Sequence, residues 1–210
     1  MFRCSRVLRT VLLIEPTPQS AAAAKKVGKE FEVLTSKKLI PKETTKVFKL
    51  NRPLKPEDLH DLKLDFAKYS HIIMTHDAVG KSVLPRLAAI LSKSMISDVT
   101  KISGEEYTRL MYAGNVVSTV KTKQTPVIFS VRPTAFAGEP LQEATAPQEE
   151  ITLKDSRVKT TNTKTSGGDR PELGAAKIVV SGGRALKSSE NFKTYFHFFN
   201  LGLLHHWLTD

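Results

Sequence analysis

The sequence predicts an α/β protein. Its first domain is read as a mostly parallel sheet with a β-hairpin extension, followed by a linker and the opening strand, turn and helix of a second domain. Three observations predict this. Short apolar runs alternate with segments of helical spacing over residues 8–91, the signature of strand–helix layering. Residues 107–132 then turn rich in Val, Ile, Thr and aromatics with no helical period. A stretch rich in Pro, Ala, Thr, Glu and Ser, residues 138–168, separates all of this from a fresh apolar run at residues 175–180.

Residues 8–14 form a continuous apolar run ended by Glu15-Pro16-Thr17-Pro18, the pattern of a buried strand leaving its sheet. Residues 19–29 contain Ala21, Ala22, Ala23 and Ala24 without proline and predict a helix that Gly28 ends. Residues 30–35 and 45–50 alternate as strands do. Pro56-Glu57-Asp58 then places proline and two acids where a helix start favours them, with Leu59, Leu62, Phe66 and Tyr69 at helical spacing behind. Residues 71–75 predict a strand, and Val83, Leu84, Leu87, Ala88 and Leu91 line one face of a second helix. Residues 107–121 and 126–132 are expected as paired strands, the first bent around Ala113-Gly114-Asn115. The linker carries at most one short helical or strand piece, over residues 149–158.

Composition narrows the function. With 40% hydrophobic and 25% charged residues among 210, most of the chain can fold. The formal charge is +11, and residues 1–50 hold 11 Lys and Arg against 4 acids, so the excess is concentrated near the start. Clustered basic residues interleaved with aromatic platforms are missing, so no nucleic-acid partner is expected. Cys4 is alone, which excludes an intramolecular disulfide, and no Cys or His spacing suggests a structural metal. No apolar run approaches the ~20 residues of a membrane-spanning helix, so the chain is not expected to be membrane-embedded. Residues 1–10 carry three arginines and no acid, the composition of a mitochondrial targeting segment or of a basic flank to the first strand.

Two glycine motifs bear on ligands. Gly80-Lys81-Ser82 matches the end of a phosphate-binding loop, but Thr75 stands where that loop needs its first glycine, so a plain strand-to-helix turn at a sheet edge is expected. Ser181-Gly182-Gly183-Arg184 follows an apolar strand and precedes a helix start at Ser188-Ser189-Glu190. Its glycines let backbone approach a ligand and Arg184 adds a permanent charge; a tight connection with no ligand fits the same pattern. His76-Asp77 is placed at the carboxyl end of a strand, to cap or to line a crevice, whereas His205 and His206 diverge on a helix and share no metal easily. No Ser–His–Asp or Cys–His grouping emerges, so no catalytic residue is assigned.

An ordered set of segments then resembles a known family. It comprises Leu84-Pro85-Arg86-Leu87-Ala88-Ala89, Ile96-Ser97-Asp98, Tyr112-Ala113-Gly114-Asn115 with Thr119-Val120-Lys121, and Phe129-Ser130-Val131-Arg132. Asp169-Arg170-Pro171-Glu172-Leu173 follows, leading to Val179-Val180-Ser181-Gly182-Gly183-Arg184, Leu186-Lys187-Ser188 and Glu190-Asn191-Phe192. Together these resemble the alpha subunit of electron transfer flavoprotein, closely over residues 69–136 and 169–193 and more weakly over residues 7–68.

The resemblance implies a Rossmann-like first domain over residues 7–137, the linker over 138–168 and the beginning of an FAD-binding domain from 169. It implies FAD as cofactor and a mitochondrial matrix heterodimer with the beta subunit. That complex takes electrons from acyl-CoA dehydrogenases in fatty acid oxidation and passes them to a quinone oxidoreductase, as a redox carrier rather than a substrate-converting enzyme. Among flavin contacts it carries over Arg184, in the turn shaped by Ser181, Gly182 and Gly183. After Lys193 the family's further flavin-binding turns have no equivalents, and residues 194–210 run differently. A C-terminally shortened form is therefore expected, with its tail either a genuine alternative end or the product of a shifted frame. Such a form either carries electrons within the complex or binds the beta subunit without redox activity.

Overall fold

The computed structural model describes residues 10–154, 158, 161, 162, 182–188, 190 and 191. It divides into one compact unit ending at Lys159 and a second beginning at Thr160. Residues 1–9 of the expected targeting segment, the expected strand at residues 175–180, Ser181 and residues 194–210 lie outside the described residues.

The first unit is α/β. Strand β1 (Val11–Ile14) leads to helix α1 (Pro18–Ala24), and β2 (Phe31–Thr35), β3 (Leu39–Pro41) and β4 (Thr44–Leu50) follow. After two 3-10 turns come β5 (His71–Thr75), helix α2 (Gly80–Ile90) and β6 (Met95–Ser103). Then come β7 (Glu106–Met111), β8 (Val116–Lys121), β9 (Val127–Val131), β10 (Leu141–Glu143) and β11 (Gln148–Ile151). Nine strands make one sheet in the order β11-β4-β2-β1-β5-β9-β6-β7-β8, parallel from β11 to β6 and antiparallel at β6-β7-β8. The pair β3–β10 stands apart as a small antiparallel sheet.

The central strands are apolar throughout because both of their faces are covered. Leu12, Ile14, Ile72 and Met74 enter one core, with Val83, Leu84 and Leu87 of α2. Val11, Leu13 and Ile73 enter the other, with Ala23 and Ala24 of α1. Alternation along each strand thus divides one continuous run between two layers. All four residues of β1 are inaccessible to solvent.

Four expectations meet a different outcome. Helix α1 stops at Ala24 because the chain tightens there. Lys26 and Val27 donate to Ala23 and Ala24, three residues back, and Val27 turns into the core. The helix expected behind Pro56 is two 3-10 turns, Pro56–His60 and Phe66–Lys68. Leu59, Leu62, Phe66 and Tyr69 are all buried in the α2-side core, so their spacing reported burial without a continuous helix. Asp58 holds the first turn, accepting from the Lys55 N–H at 2.8 Å and from both Arg52 terminal nitrogens at 2.7 Å. Residues 126–132 do not pair with the hairpin alone. Strand β9 lies between β5 and β6, parallel to both, and the hairpin β7–β8 extends outward from β6.

The stretch expected as linker adds two strands to the first unit. Strand β11 runs beside β4 on polar residues because an edge strand needs backbone partners more than apolar side chains. Lys46 pairs with Glu149 at 2.6 Å, and Asn51 both donates to and accepts from the Leu153 backbone. Leu153 itself is buried.

Candidate functional site

In an open parallel sheet the crevice beyond the carboxyl ends of the strands is the usual ligand site, at the point where chain direction across the sheet reverses. Here that point lies between β1 and β5, and this chain's own side chains fill it. Thr17 and Thr75 share a hydrogen bond of 2.7 Å across it. Thr17 also accepts from the Ser20 N–H while Ser20 Oγ accepts from the Thr17 N–H, so the start of α1 is capped from within. The buried Glu15 carboxylate accepts from Thr35 Oγ1 and from the Ser36 N–H and hydroxyl.

Next to it, beyond β5 and β9, His76 Nδ1 lies 2.8 Å from Ser130 Oγ, which accepts from the Asp98 N–H. Asp98 sits at φ 59°, at the bulge where β6 loses register with β9, and its carboxylate takes a bidentate contact from Arg132. The Arg132 guanidinium holds the Asp98 carboxyl below the ordinary carboxylate range against the opposing effect of burial. Burial pushes the His76 imidazole down; Asp98 opposes this, and Lys81, Arg132 and Arg109 add to it. These bonds join the ends of β5, β6 and β9.

The glycine of Gly80-Lys81-Ser82 is explained by packing. A Cβ at Gly80 would fall 1.9 Å from the Thr75 carbonyl oxygen, so only glycine lets α2 begin directly over the end of β5. Asp77 caps that start by accepting from the Gly80 N–H at 2.7 Å, the capping role open to it from sequence. Strand β5 is central in the sheet, so this turn lies at the middle of the sheet and not at its edge as expected.

In the second unit Arg184–Leu186 is a 3-10 turn entered through Gly182 and Gly183. The Leu186 N–H donates to the Gly183 carbonyl, and Asn191 Nδ2 donates to the Leu186 carbonyl at 2.7 Å. A Cβ on Gly183 would meet no atom within 4 Å. Packing among the described residues therefore does not demand glycine at that position.

The model for the electron transfer flavoprotein domain matches residues 61–156. The mitochondrial electron transfer flavoprotein subunit alpha of Arabidopsis thaliana is 40% identical over 137 residues, covering 60% of this chain and 38% of that protein. Its counterpart in Oryza sativa subsp. indica is 41% identical over 135 residues, again 60% and 38%. That of Dictyostelium discoideum is 37% identical over 135 residues, 59% and 38%. Over these residues the chain is similar to the alpha subunits of electron transfer flavoprotein. It spans 38% of the length of these curated relatives.

The matched region covers α2, the hairpin, β9 and both late strands, so it takes in the first part, residues 138–156, of the stretch expected as linker. Of the residues assigned to the cofactor from sequence, Gly182, Gly183 and Arg184 belong to the described turn and Ser181 lies outside the described residues. Sequence reasoning missed the Asp98–Arg132–Ser130–His76 cluster. Ile96-Ser97-Asp98 and Phe129-Ser130-Val131-Arg132 were both noticed as segments, but only the parallel pairing of β6 with β9 brings them together.

The outermost part of the flavoprotein-like domain is the hairpin tip. Tyr112, Ala113 and Gly114 carry φ values of 51°, 55° and 93°, three successive left-handed residues. Two of them are not glycine, and such strain persists where a function or tight packing maintains it. Packing is not the cause, since the Tyr112 side chain is 75% exposed and Val117 is 68% exposed.

Proposed function

We propose that this chain supplies the alpha-side α/β domain of a mitochondrial electron transfer flavoprotein and assembles with the beta subunit in the matrix. In that complex electrons pass from acyl-CoA dehydrogenases to a quinone oxidoreductase. The observation that carries the reading is about 40% identity to named alpha subunits from a plant and an amoeba over three-fifths of this chain. Two features of the fold support it. The carboxyl-edge crevice of the first unit is closed by internal hydrogen bonds, which suits a domain devoted to assembly. The strained, exposed hairpin tip offers Tyr112 as an aromatic anchor for a protein partner.

The residues present fit a flavin contact at one place. The turn at Ser181, Gly182, Gly183 and Arg184 would hold FAD: open space at Gly183 permits close approach of backbone, and the Arg184 charge complements a phosphate or an electron-rich ring. FAD supplies the chemistry there, taking up electrons in pairs and releasing them singly. This chain's own part is to bind and orient.

Mixing the purified chain with beta subunit and FAD, followed by gel filtration, tests the reading. Co-elution of both chains with flavin absorbance, reduced by Arg184→Ala, is the expected result. Co-elution without flavin would leave the redox-inactive reading, in which the α/β unit occupies the beta subunit alone. No co-elution would defeat both.

A further inference from the structure

On the α1 side of the sheet the core is covered by a helix of only seven residues, with Ile40 of β3 and the side chains of Phe136, Ala144 and Ala146 packed beside it. On this side runs a groove of about 570 Å³, bounded by α1, the middle of β6 and the turn after β9. Its floor is apolar. Ile102 and Phe136 pack against the α1-side core and still line the groove, together with Ala22. Lys25, Lys26 and Lys101 also line it, against Glu139 as the single acid of the lining.

These lysines are not equivalent. Lys25 lies 2.9 Å from both Glu43 and Glu139, so its charge and that of Glu139 already answer each other. Lys26 and Lys101 are exposed, and among the described residues neither has an ion-pair partner. Apolar side chains and two unanswered cations lining one groove complement an extended segment that alternates carboxylates with aliphatic side chains.

We propose that this groove is a docking site for an acidic, apolar-patterned peptide segment of a partner protein, with Lys26 and Lys101 reading its carboxylates and Ile102 and Phe136 its aliphatic side chains. The site is on the α1 face, and it depends on neither the flavin turn nor the hairpin tip. It therefore goes beyond the flavoprotein reading and stands apart from it.

The test uses the full chain and a fluorescein-labelled synthetic peptide of alternating glutamate and leucine, followed by fluorescence anisotropy. A glutamine–leucine peptide of the same length is the control for charge. Binding of the acidic peptide is expected, weakening as salt rises. The double variant Lys26→Glu with Lys101→Glu should lose about tenfold in affinity or more, since two attractions become repulsions. A matched pair, Lys63→Glu with Lys81→Glu, changes net charge equally at exposed positions, the second on α2, and should lose less than about twofold. Both pairs alter exposed side chains, and unchanged thermal unfolding verifies their folding. If a charge-reversed pair unfolds, Lys26→Gln with Lys101→Gln replaces it, with a smaller loss expected. The proposal is overturned if the acidic peptide fails to bind, if the glutamine peptide binds as well, or if the two lysine pairs lose equally.

Discussion

Replacing Asp58 with alanine isolates the bond network that closes the first unit. The Asp58 side chain is 5% exposed and accepts three charge-assisted or backbone hydrogen bonds, from Arg52 Nη1, Arg52 Nη2 and the Lys55 N–H, at 2.7, 2.7 and 2.8 Å. Arg52 also donates to the Lys154 carbonyl at 2.7 Å, so one guanidinium joins the turn after β4 to the chain leaving β11. Removing one member of a buried pair costs about 3–5 kcal/mol. Arg52 is 26% exposed and keeps its carbonyl partners, so the loss here should fall to about 2–3 kcal/mol. For a chain of this length that lowers the unfolding midpoint by about 5–10 °C.

The loss also has a pH signature. Burial opposes ionisation of Asp58, but hydrogen bonds from Arg52 and Lys55 outweigh it, so its folded-state pKa lies below the ordinary value of 3.8. A carboxyl lowered on folding adds stability above its unfolded pKa and loses it as pH falls through the folded value. The gap between wild type and Asp58→Ala should thus be full at neutral pH and shrink below 3.8. Thermal melts followed by circular dichroism across that range measure it. A midpoint shift below about 2 °C at neutral pH, or a gap unchanged in acid, would refute the reasoning.

Three other substitutions follow from geometry, each read by the same melts. Gly80→Ala must push α2 off the end of β5, because its new methyl would meet the Thr75 carbonyl oxygen at 1.9 Å, and should cost about 3 kcal/mol. Thr75→Val keeps shape and removes the 2.7 Å bond to Thr17, so a loss of about 1 kcal/mol is expected. Ala113→Gly relieves a left-handed residue at φ 55° and should stabilise by about 0.5 kcal/mol; a loss there would mean the tip is not held as described.

The central layer was readable because burial on both faces leaves an unmistakable apolar run. Val11–Ile14 and His71–Thr75 are strands as expected, and the apolar face at Val83, Leu84 and Leu87 is that of α2. What escaped were elements held by backbone. Strands β3 and β10 bury few large side chains, so neither period nor composition marked them, and β11 was anticipated only as a short helical or strand piece within an expected linker. The insertion of β9 between β5 and β6 is a long-range pairing that no local pattern encodes. The same holds for the carboxyl-edge cluster. Asp98 and Arg132 are 34 positions apart, and their types alone say nothing of a shared site. The turn at Gly182 and Gly183 was legible because paired glycines behind an apolar run mark a tight turn, which is a local property.

The central claim is that the α/β unit is an assembly domain presenting its hairpin tip to the beta subunit. Sedimentation velocity of this chain mixed with purified beta subunit tests it most directly, with Tyr112→Ala alongside. The account predicts a one-to-one complex at micromolar concentration, weakened about tenfold or more when the exposed Tyr112 ring is removed. Two independently sedimenting species, or a complex indifferent to Tyr112, would contradict it.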